Sequence, residues 1–218
     1  MLGALHISPD KLFAILTAIS FAAGLNVYAT LATLGLLAHA GVFPLPPGLQ
    51  VLSSWYLIAA ACILFLVELF ADKIPAFDLL WNALHTFVRI PVAALLAYRA
   101  TAQLSPGLQL LATLMGGAIA MAAHSGKTAV RAAVTPSPEP FSNVALSLGE
   151  DVLAVSLTWF ATKHPYGAAS VAAMFVLAVI ILLHWVVRAL RSLMRKRKTF
   201  STAEDKQVHS PRLSSRLP

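Results

Sequence analysis

Two stretches of this sequence place ionisable side chains inside otherwise apolar runs. The candidate site residues in them are Glu68, Asp72, Lys73, His85 and Arg89 in residues 68–89, and His124, Lys127, Arg131, Glu150 and Asp151 in residues 124–151. Carboxylates and imidazoles exchange protons near neutral pH, and neighbouring cations tune or bind negative charge. The pattern predicts a buried polar site that binds or conducts a small solute or ion.

The spacing of these residues places several of them on shared helix faces. Glu68 and Asp72 are four residues apart, as are His85 and Arg89. An acidic or basic side chain at the centre of a bilayer costs about 2.5–3.5 kcal/mol, so these groups should face one another or water. We expect Arg89 to lie near Glu150 or Asp151, and Lys127 or His124 to lie near Glu68.

The composition predicts the environment of these helices. Of 218 residues, 58% are hydrophobic and 11% are charged, with a mean hydropathy of +0.77. Charged residues make up about a quarter of a soluble domain, so the sequence predicts an integral membrane protein. The net charge of +7 arises in the segment after residue 187. That segment favours a cytoplasmic position on anionic lipid, and nucleic acid is not expected as a partner.

The chain predicts an all-α, polytopic transmembrane bundle of about six helices. A spanning helix needs about 20 apolar residues, and the predicted helices cover residues 11–39, 51–72, 79–101, 108–134, 144–162 and 168–190. Residues 1–198 form the membrane domain, and residues 199–218 form a disordered basic tail whose deletion should not affect insertion. Six crossings and the basic segment 188–198 place both termini in the cytoplasm of a bacterial inner membrane.

The first predicted helix carries a polar residue near its middle. Asn26 is interpreted either as an interhelical hydrogen-bonded contact or as part of the polar site. Ser20 and Gly24 form a pair of small residues four apart, which allows another backbone to approach closely. Asp78 and Asn143 are predicted to cap the third and fifth helices.

These two predicted caps also align a weak internal repeat. Each follows a proline-containing turn, and the helices that follow would run in the same direction. Two further pairs then align: His85 with Glu150, and Thr86 with Asp151. The pattern favours duplication of a helical hairpin as parallel repeats, although the residue identity is low.

Other chemistries receive less support from the sequence. Hydroxyl side chains lie near histidines or acids at Thr86, Ser125, Ser142 and Ser147, but no nucleophile motif accompanies them, so no enzyme activity is expected. Glu68, His85, His124 and Glu150 lack the spacing of a metal motif, and no metal or cofactor is expected. Cys62 is a single cysteine in an apolar run and is interpreted as a buried hydrophobe.

The polar positions resemble a bacterial family of multi-pass membrane proteins known as domain-of-unknown-function family 4126. The likeness covers about residues 10–165 and is carried by AGLNVYAT (23–30), ELFADKIPAFD (68–78), ALHTFVR (83–89), GGAIAMAAHSGKTAVR (116–131) and PFSNVALSLGED (140–151). The resemblance implies a membrane location and brings no activity, substrate or cofactor. The last helix and the basic tail fall largely outside it.

Two functions from different classes fit these observations. The leading one is a small transporter or channel-like permease, proton-linked through its histidines, acting on an unidentified solute or ion. The alternative is a non-transporting scaffold or assembly partner, also compatible with a homo-oligomer, whose buried charges fix the helix register. A cavity lined by the charged residues favours the first function, and direct pairing of these residues favours the second.

Overall fold

The computed structural model describes residues 7–71, 75–134 and 140–208. The described residues form helices and no strand, which confirms the all-α bundle. The α-helices are α1 (Pro9–Leu25), α2 (Val27–His39), α3 (Trp55–Ala71), α4 (Pro75–Ala100), α5 (Pro106–Val134), α6 (Pro140–Lys163) and α7 (Pro165–Val208), and a 3₁₀ segment (Pro47–Ser53) precedes α3.

Several of these helices meet the length and apolarity of a membrane span. Three spans qualify alone, namely Pro106–Arg131, Val144–Lys163 and Pro165–Ala189. The 3₁₀ segment and α3 together form a fourth, bent by 68°. These apolar helices support the assignment of the chain to the membrane proteins.

Proline sets the start of most helices, because its fixed φ suits the first helical position and its missing N–H is not needed there. α4 begins at Pro75 and α6 begins at Pro140, both earlier than predicted. Asp78 and Asn143 therefore lie inside the first turn of these helices, and their prediction as N-caps was wrong. Residues 72–74, including Asp72 and Lys73, lie outside the described residues, so the predictions for these two stay untested.

The predicted helix over residues 11–39 is two helices. Asn26 has an extended backbone, with φ −146° and ψ 105°, and separates α1 from α2. At about 1.5 Å per residue, the 17-residue α1 is about 25 Å long and the 13-residue α2 about 20 Å long. Each is shorter than the roughly 30 Å of a hydrocarbon core.

Both open ends of α1 and α2 lie at one end of the bundle, where α3, α5 and α7 begin, which we call the near end. Tyr166 in the first turn of α7 donates a hydrogen bond to Asp10 in the first turn of α1. His39, the last residue of α2, packs its ring on Trp55, the first residue of α3, with ring centroids 4.4 Å apart. The two helices therefore form a re-entrant hairpin that turns back at Asn26.

The hairpin returns the chain to the near end before α3 begins. The far end of the bundle is where α4 and α6 begin, and α5 and α7 run toward it. Gly126 of α5 contacts Val179 of α7, so α7 approaches the far end by that residue. The start of α1 and Val179 thus lie toward opposite ends of the bundle. The expectation that both termini lie on one side of the membrane stays a prediction.

α1 lies at the centre of the packing. Twelve of its residues are buried, and it packs against α2, α4, α5 and α6. A Cβ at Gly24 would collide with the backbone of Ala120, and a Cβ at Gly116 would lie 3.1 Å from Oγ of Ser20. This confirms that the Ser20 and Gly24 pair allows a close backbone approach, because α5 offers its own small residues to that face.

Residues 181–218 form a second unit, separate from residues 1–180. Its described part continues α7 as helix through Val208, and Trp185 and Val187 expose their side chains. α7 begins before and ends after the predicted helix 168–190, and it includes residues 199–208 of the predicted tail. Residues 209–218 of the predicted tail lie outside the described residues.

Candidate functional site

A fully buried ion pair joins α3 to α4. Arg89 donates through Nη2 to Oε1 of Glu68, and neither side chain is exposed to solvent. Nζ of Lys127, on α5, lies 3.7 Å from the same carboxylate oxygen. Within the described part of the chain, Oε2 of Glu68 has no hydrogen-bond partner. One carboxylate oxygen therefore receives two cations, and the other keeps its hydrogen-bonding capacity.

A second carboxylate continues this arrangement across α5 and α6. Lys127 Nζ lies 3.0 Å from Oε2 of Glu150. Arg131 donates to both oxygens of Glu150, at 2.7 Å from Nη2 and 3.4 Å from Nε. Lys127 thus bridges Glu68 and Glu150, and the charges alternate in sign from α4 to the last turns of α5.

These pairs bear on two expectations. Arg89 pairs with Glu68, and Glu150 pairs with Lys127 and Arg131, so the expectation that Arg89 lies near Glu150 or Asp151 stays a prediction. Lys127 lies beside Glu68, as expected. The sequence does not determine which cation reaches which acid, because several long side chains reach the same region.

The helix break joins this network through Asn26, which is fully buried. Its Oδ1 accepts a hydrogen bond from the backbone N–H of Ala29 at 2.9 Å and so caps α2. Its Nδ2 donates to Oδ1 of Asp151 on α6 at 2.8 Å. The first interpretation of Asn26, an interhelical hydrogen-bonded contact, is confirmed, and its part in a functional polar site stays a prediction.

The charges around the break match the polarity of the two helix ends. A helix end exposes carbonyl oxygens at its C-terminus and N–H groups at its N-terminus, which favour a cation and an anion respectively. Lys127 Nζ lies 3.3 Å from the carbonyl oxygen of Leu25, the last residue of α1. Asp151 accepts a hydrogen bond from Asn26, the residue that caps the start of α2. The hairpin tip is thereby stabilised by the same side chains that form the ion pairs.

Two histidines complete the site. His85 Nε2 lies 3.0 Å from the hydroxyl of Tyr28, and its Nδ1 lies 2.8 Å from the carbonyl oxygen of Trp81. His124 Nδ1 lies 3.0 Å from Nη1 of Arg89, and its Nε2 lies 2.7 Å from Oγ1 of Thr86. Both rings are buried, and each of their four nitrogens lies within hydrogen-bond distance of a protein group.

The described charges balance. The three cations Arg89, Lys127 and Arg131 face the three carboxylates Glu68, Glu150 and Asp151, and all of these except the partly buried Glu150 are buried residues. Since an isolated buried charge is unfavourable, an equal number of each sign keeps the site compatible with an apolar surrounding. Glu68 and Glu150 contact cations directly, and Asp151 accepts a hydrogen bond from the amide of Asn26.

The contacts also bear on the other chemistries. Thr86 contacts Nε2 of His124, and the other ring nitrogen, Nδ1, faces the guanidinium of Arg89. A general base in a nucleophile triad is oriented by an acid at that position, and this arrangement presents a cation instead. Among residues that the structure describes, no group of three histidines, cysteines or acids is placed to hold a metal ion.

Tyr28 and the role of the break were missed in the sequence. A usable signal was present, because residues 11–39 exceed the length that one span needs, and asparagine is a favoured N-cap. The internal repeat stays a prediction. His85 and Glu150 each lie ten residues after the proline that begins their helix, and α4 and α6 run in the same direction.

These features define a class: a helical membrane protein whose re-entrant hairpin ends in a buried network of ion pairs. Within that class, the chain belongs to the family described as Domain of unknown function (DUF4126), whose model matches residues 13–185. The expectation that the last helix falls largely outside the family was wrong, since the match includes most of its apolar part. None of the curated proteins or solved structures compared with the chain matches it.

Proposed function

We propose that the protein is a small proton-linked transporter or channel-like permease, and that the tip of the α1–α2 hairpin forms its translocation site. One observation carries this proposal: the helix break at Asn26 lies inside the buried ion-pair network. A continuous helix would satisfy its own backbone and need none of these charges.

The physical argument concerns backbone at membrane depth. Non-helical backbone within a bilayer is tolerated where protein buries it or where it lines a water-filled path. Discontinuous helices of transporters direct their exposed carbonyl and N–H ends at ions or charged substrates. Here the carbonyl of Leu25 and the capped start of α2 face Lys127 and Asp151. In the proposed mechanism, the ammonium group of Lys127 leaves the carbonyl oxygen of Leu25 and its two carboxylates, and a transported cation takes its place there.

The hairpin also sets the proposed orientation. Lys127 and Arg131 lie toward the far end, and the basic residues 188–198 belong to the later part of α7. By the positive-inside rule, we propose that the far end faces the cytoplasm of a bacterial inner membrane. In this proposal the start of α1 faces the other side, whereas the sequence predicted two cytoplasmic termini.

Proton flux into proteoliposomes under an imposed potassium diffusion potential tests the proposal. Glu68→Gln, Arg89→Gln and Glu150→Gln should each abolish the flux while the protein still elutes as a folded species. Thr158→Val is the matched control, because Thr158 is fully buried and donates to the carbonyl of Ala154 within its own helix. Unchanged flux in folded network variants would overturn the proposal.

Direct pairing favours a second candidate function, a scaffold whose charges fix helix register. Arg89 with Glu68 and Arg131 with Glu150 are contacts that need no substrate. If the same three substitutions lower the melting temperature and the wild-type protein gives no flux above empty liposomes, the scaffold function is supported.

A further inference from the structure

The two buried histidines have opposite hydrogen-bond polarity. Nδ1 of His85 faces the backbone carbonyl oxygen of Trp81, which only accepts, so Nδ1 must carry a proton. In the neutral ring, Nε2 then holds a lone pair, and the hydroxyl of Tyr28 donates to it. When the His85 ring is neutral, its acceptor nitrogen therefore faces a hydroxyl group that can either donate or accept.

His124 is held in the other tautomer. Nη1 of Arg89 faces Nδ1 of His124, and a guanidinium only donates, so Nδ1 must hold the lone pair. The proton of the neutral ring then lies on Nε2 and is donated to Oγ1 of Thr86. Nδ1 of His124 therefore faces a donor that cannot reverse its role, which is the difference from His85.

The two rings differ in what a second proton would do. A proton on Nε2 of His85 turns that nitrogen into a donor, and rotation of the Tyr28 O–H bond lets the phenol oxygen accept. No hydrogen bond is lost in this step. A proton on Nδ1 of His124 would point at an N–H of Arg89, so the two donors and two positive charges would repel and the contact would break.

We propose that His85 is the proton-binding residue of this site, and that His124 is a positioning residue that stays neutral and holds Arg89 on Glu68. The proton adds to the Nε2 lone pair, and Tyr28 keeps its own proton. The role of this proton in transport rests on the proposed function, whereas the protonation itself does not.

The surroundings of His85 come from several helices. The hydroxyl of Tyr28 reaches His85 from α2. The ring of Trp81, on α4 like His85, stacks on the imidazole with ring centroids 4.2 Å apart. The charged or titratable groups that face the Tyr28 and His85 pair are Glu68 of α3, Arg89 of α4 and His124 of α5. Glu68 favours a proton on His85 and Arg89 opposes it, and because these two groups are paired with each other, their effects on His85 largely cancel.

Solid-state nuclear magnetic resonance of the ¹⁵N-histidine-labelled full-length protein in lipid bilayers tests this assignment. His85→Gln and His124→Gln identify the two signals by their loss. From about pH 8 to about pH 5, we expect the His85 ring to change from the Nδ1–H neutral form to the doubly protonated form. We expect His124 to stay in the Nε2–H neutral form throughout. Protonation of His124 before His85, or a His85 ring that stays neutral, would overturn the proposal.

Two variants that keep both rings protect the test if a histidine replacement does not fold. Tyr28→Phe removes the reversible partner and should shift the pH at which the His85 signal changes. Thr86→Val removes the partner of His124 and should leave the His85 transition unchanged; the opposite pattern contradicts the assignment. If His85 titrates as expected and wild-type flux is absent, the transport function fails and the proton site stands. If flux is present and the His85 ring never titrates, the proton site fails and the transport function stands.

Discussion

Nζ of Lys127 lies 3.3 Å from the carbonyl oxygen of Leu25, the residue at which α1 ends. The same ammonium group lies 3.0 Å from Glu150 and 3.7 Å from Glu68. One side chain therefore ties the open end of a re-entrant helix to carboxylates on two other helices. Lys127 is the centre of the network because it contacts groups on three other helices, and each of these groups is at least partly buried.

Replacing Lys127 should destabilise the protein strongly. Lys127→Met fills similar volume but leaves the carbonyl of Leu25 and the two carboxylates without their shared cation. Removing one member of a buried ion pair costs about 3–5 kcal/mol, and we expect a loss of that size in reversible unfolding by a denaturing detergent. Lys163→Met is the control, since Lys163 is exposed. Equal stability of the two variants would contradict the central role of Lys127.

Two glycines should respond in opposite directions to the same substitution. A Cβ at Gly24 would lie 2.7 Å from Cβ of Ala123 and would also meet the backbone of Ala120. Gly24→Ala should therefore lower stability by about 1–3 kcal/mol through overpacking.

The matched substitution lies within α6. Within the described part of the chain, no atom of a neighbouring element lies within 4 Å of a Cβ placed at Gly149. Gly149→Ala should therefore raise stability by about 0.5–1 kcal/mol through helix propensity alone. Thermal unfolding of the purified variants measures both. A stabilising Gly24→Ala would show that α1 and α5 are not in close contact.

The class of fold was predictable because it depends on composition. Apolar runs of membrane length predict helices, and the unfavourable burial of charge predicts that ionisable groups face inward. The inward position of Glu68 and Arg89 follows from that rule, and both are fully buried. The small residues at Ser20 and Gly24 likewise predicted where a neighbouring backbone lies.

The hairpin was not predictable from these rules. The apolar run over residues 11–39 fits one long tilted span as well as two short helices, because hydropathy contains no information about direction. The break depends on one residue, Asn26, whose cap on Ala29 is only favourable when Asp151 and Lys127 satisfy the remaining groups. These partners lie far away in the chain, so no local pattern records them.

The two ends of the Glu150 interaction should differ in their contribution. Glu150→Gln leaves both Lys127 and Arg131 without this carboxylate, and we expect a loss of about 3–5 kcal/mol. Arg131→Gln leaves Lys127 at 3.0 Å from Glu150 and removes a less deeply buried partner, so about 1–3 kcal/mol is expected. Melting temperatures at matched detergent concentration rank the two. A larger loss for Arg131→Gln would show that Lys127 contributes little to holding Glu150.

The path of the first segment can be tested without knowing any substrate. Single cysteines at Ser8 and Val42, in a Cys62→Ala background, flank the α1–α2 hairpin at exposed positions. If the hairpin is re-entrant, both should react with a membrane-impermeant thiol reagent from the same side of intact cells. Gln103→Cys, in the exposed turn between α4 and α5 at the near end, should react from that side as well.

A cysteine at Ser214 in the tail is the control for the opposite side, and it should react only after the cells are opened. A single spanning helix over residues 11–39 would instead place Ser8 and Val42 on opposite sides. The comparison depends on the backbone path and not on the ion pairs, so it separates the two arrangements even if the charged site has no role in transport. Labelling of Ser8 and Val42 from different sides would show that this segment crosses the membrane instead of turning back at Asn26, and the hairpin tip that the transport proposal uses would not exist.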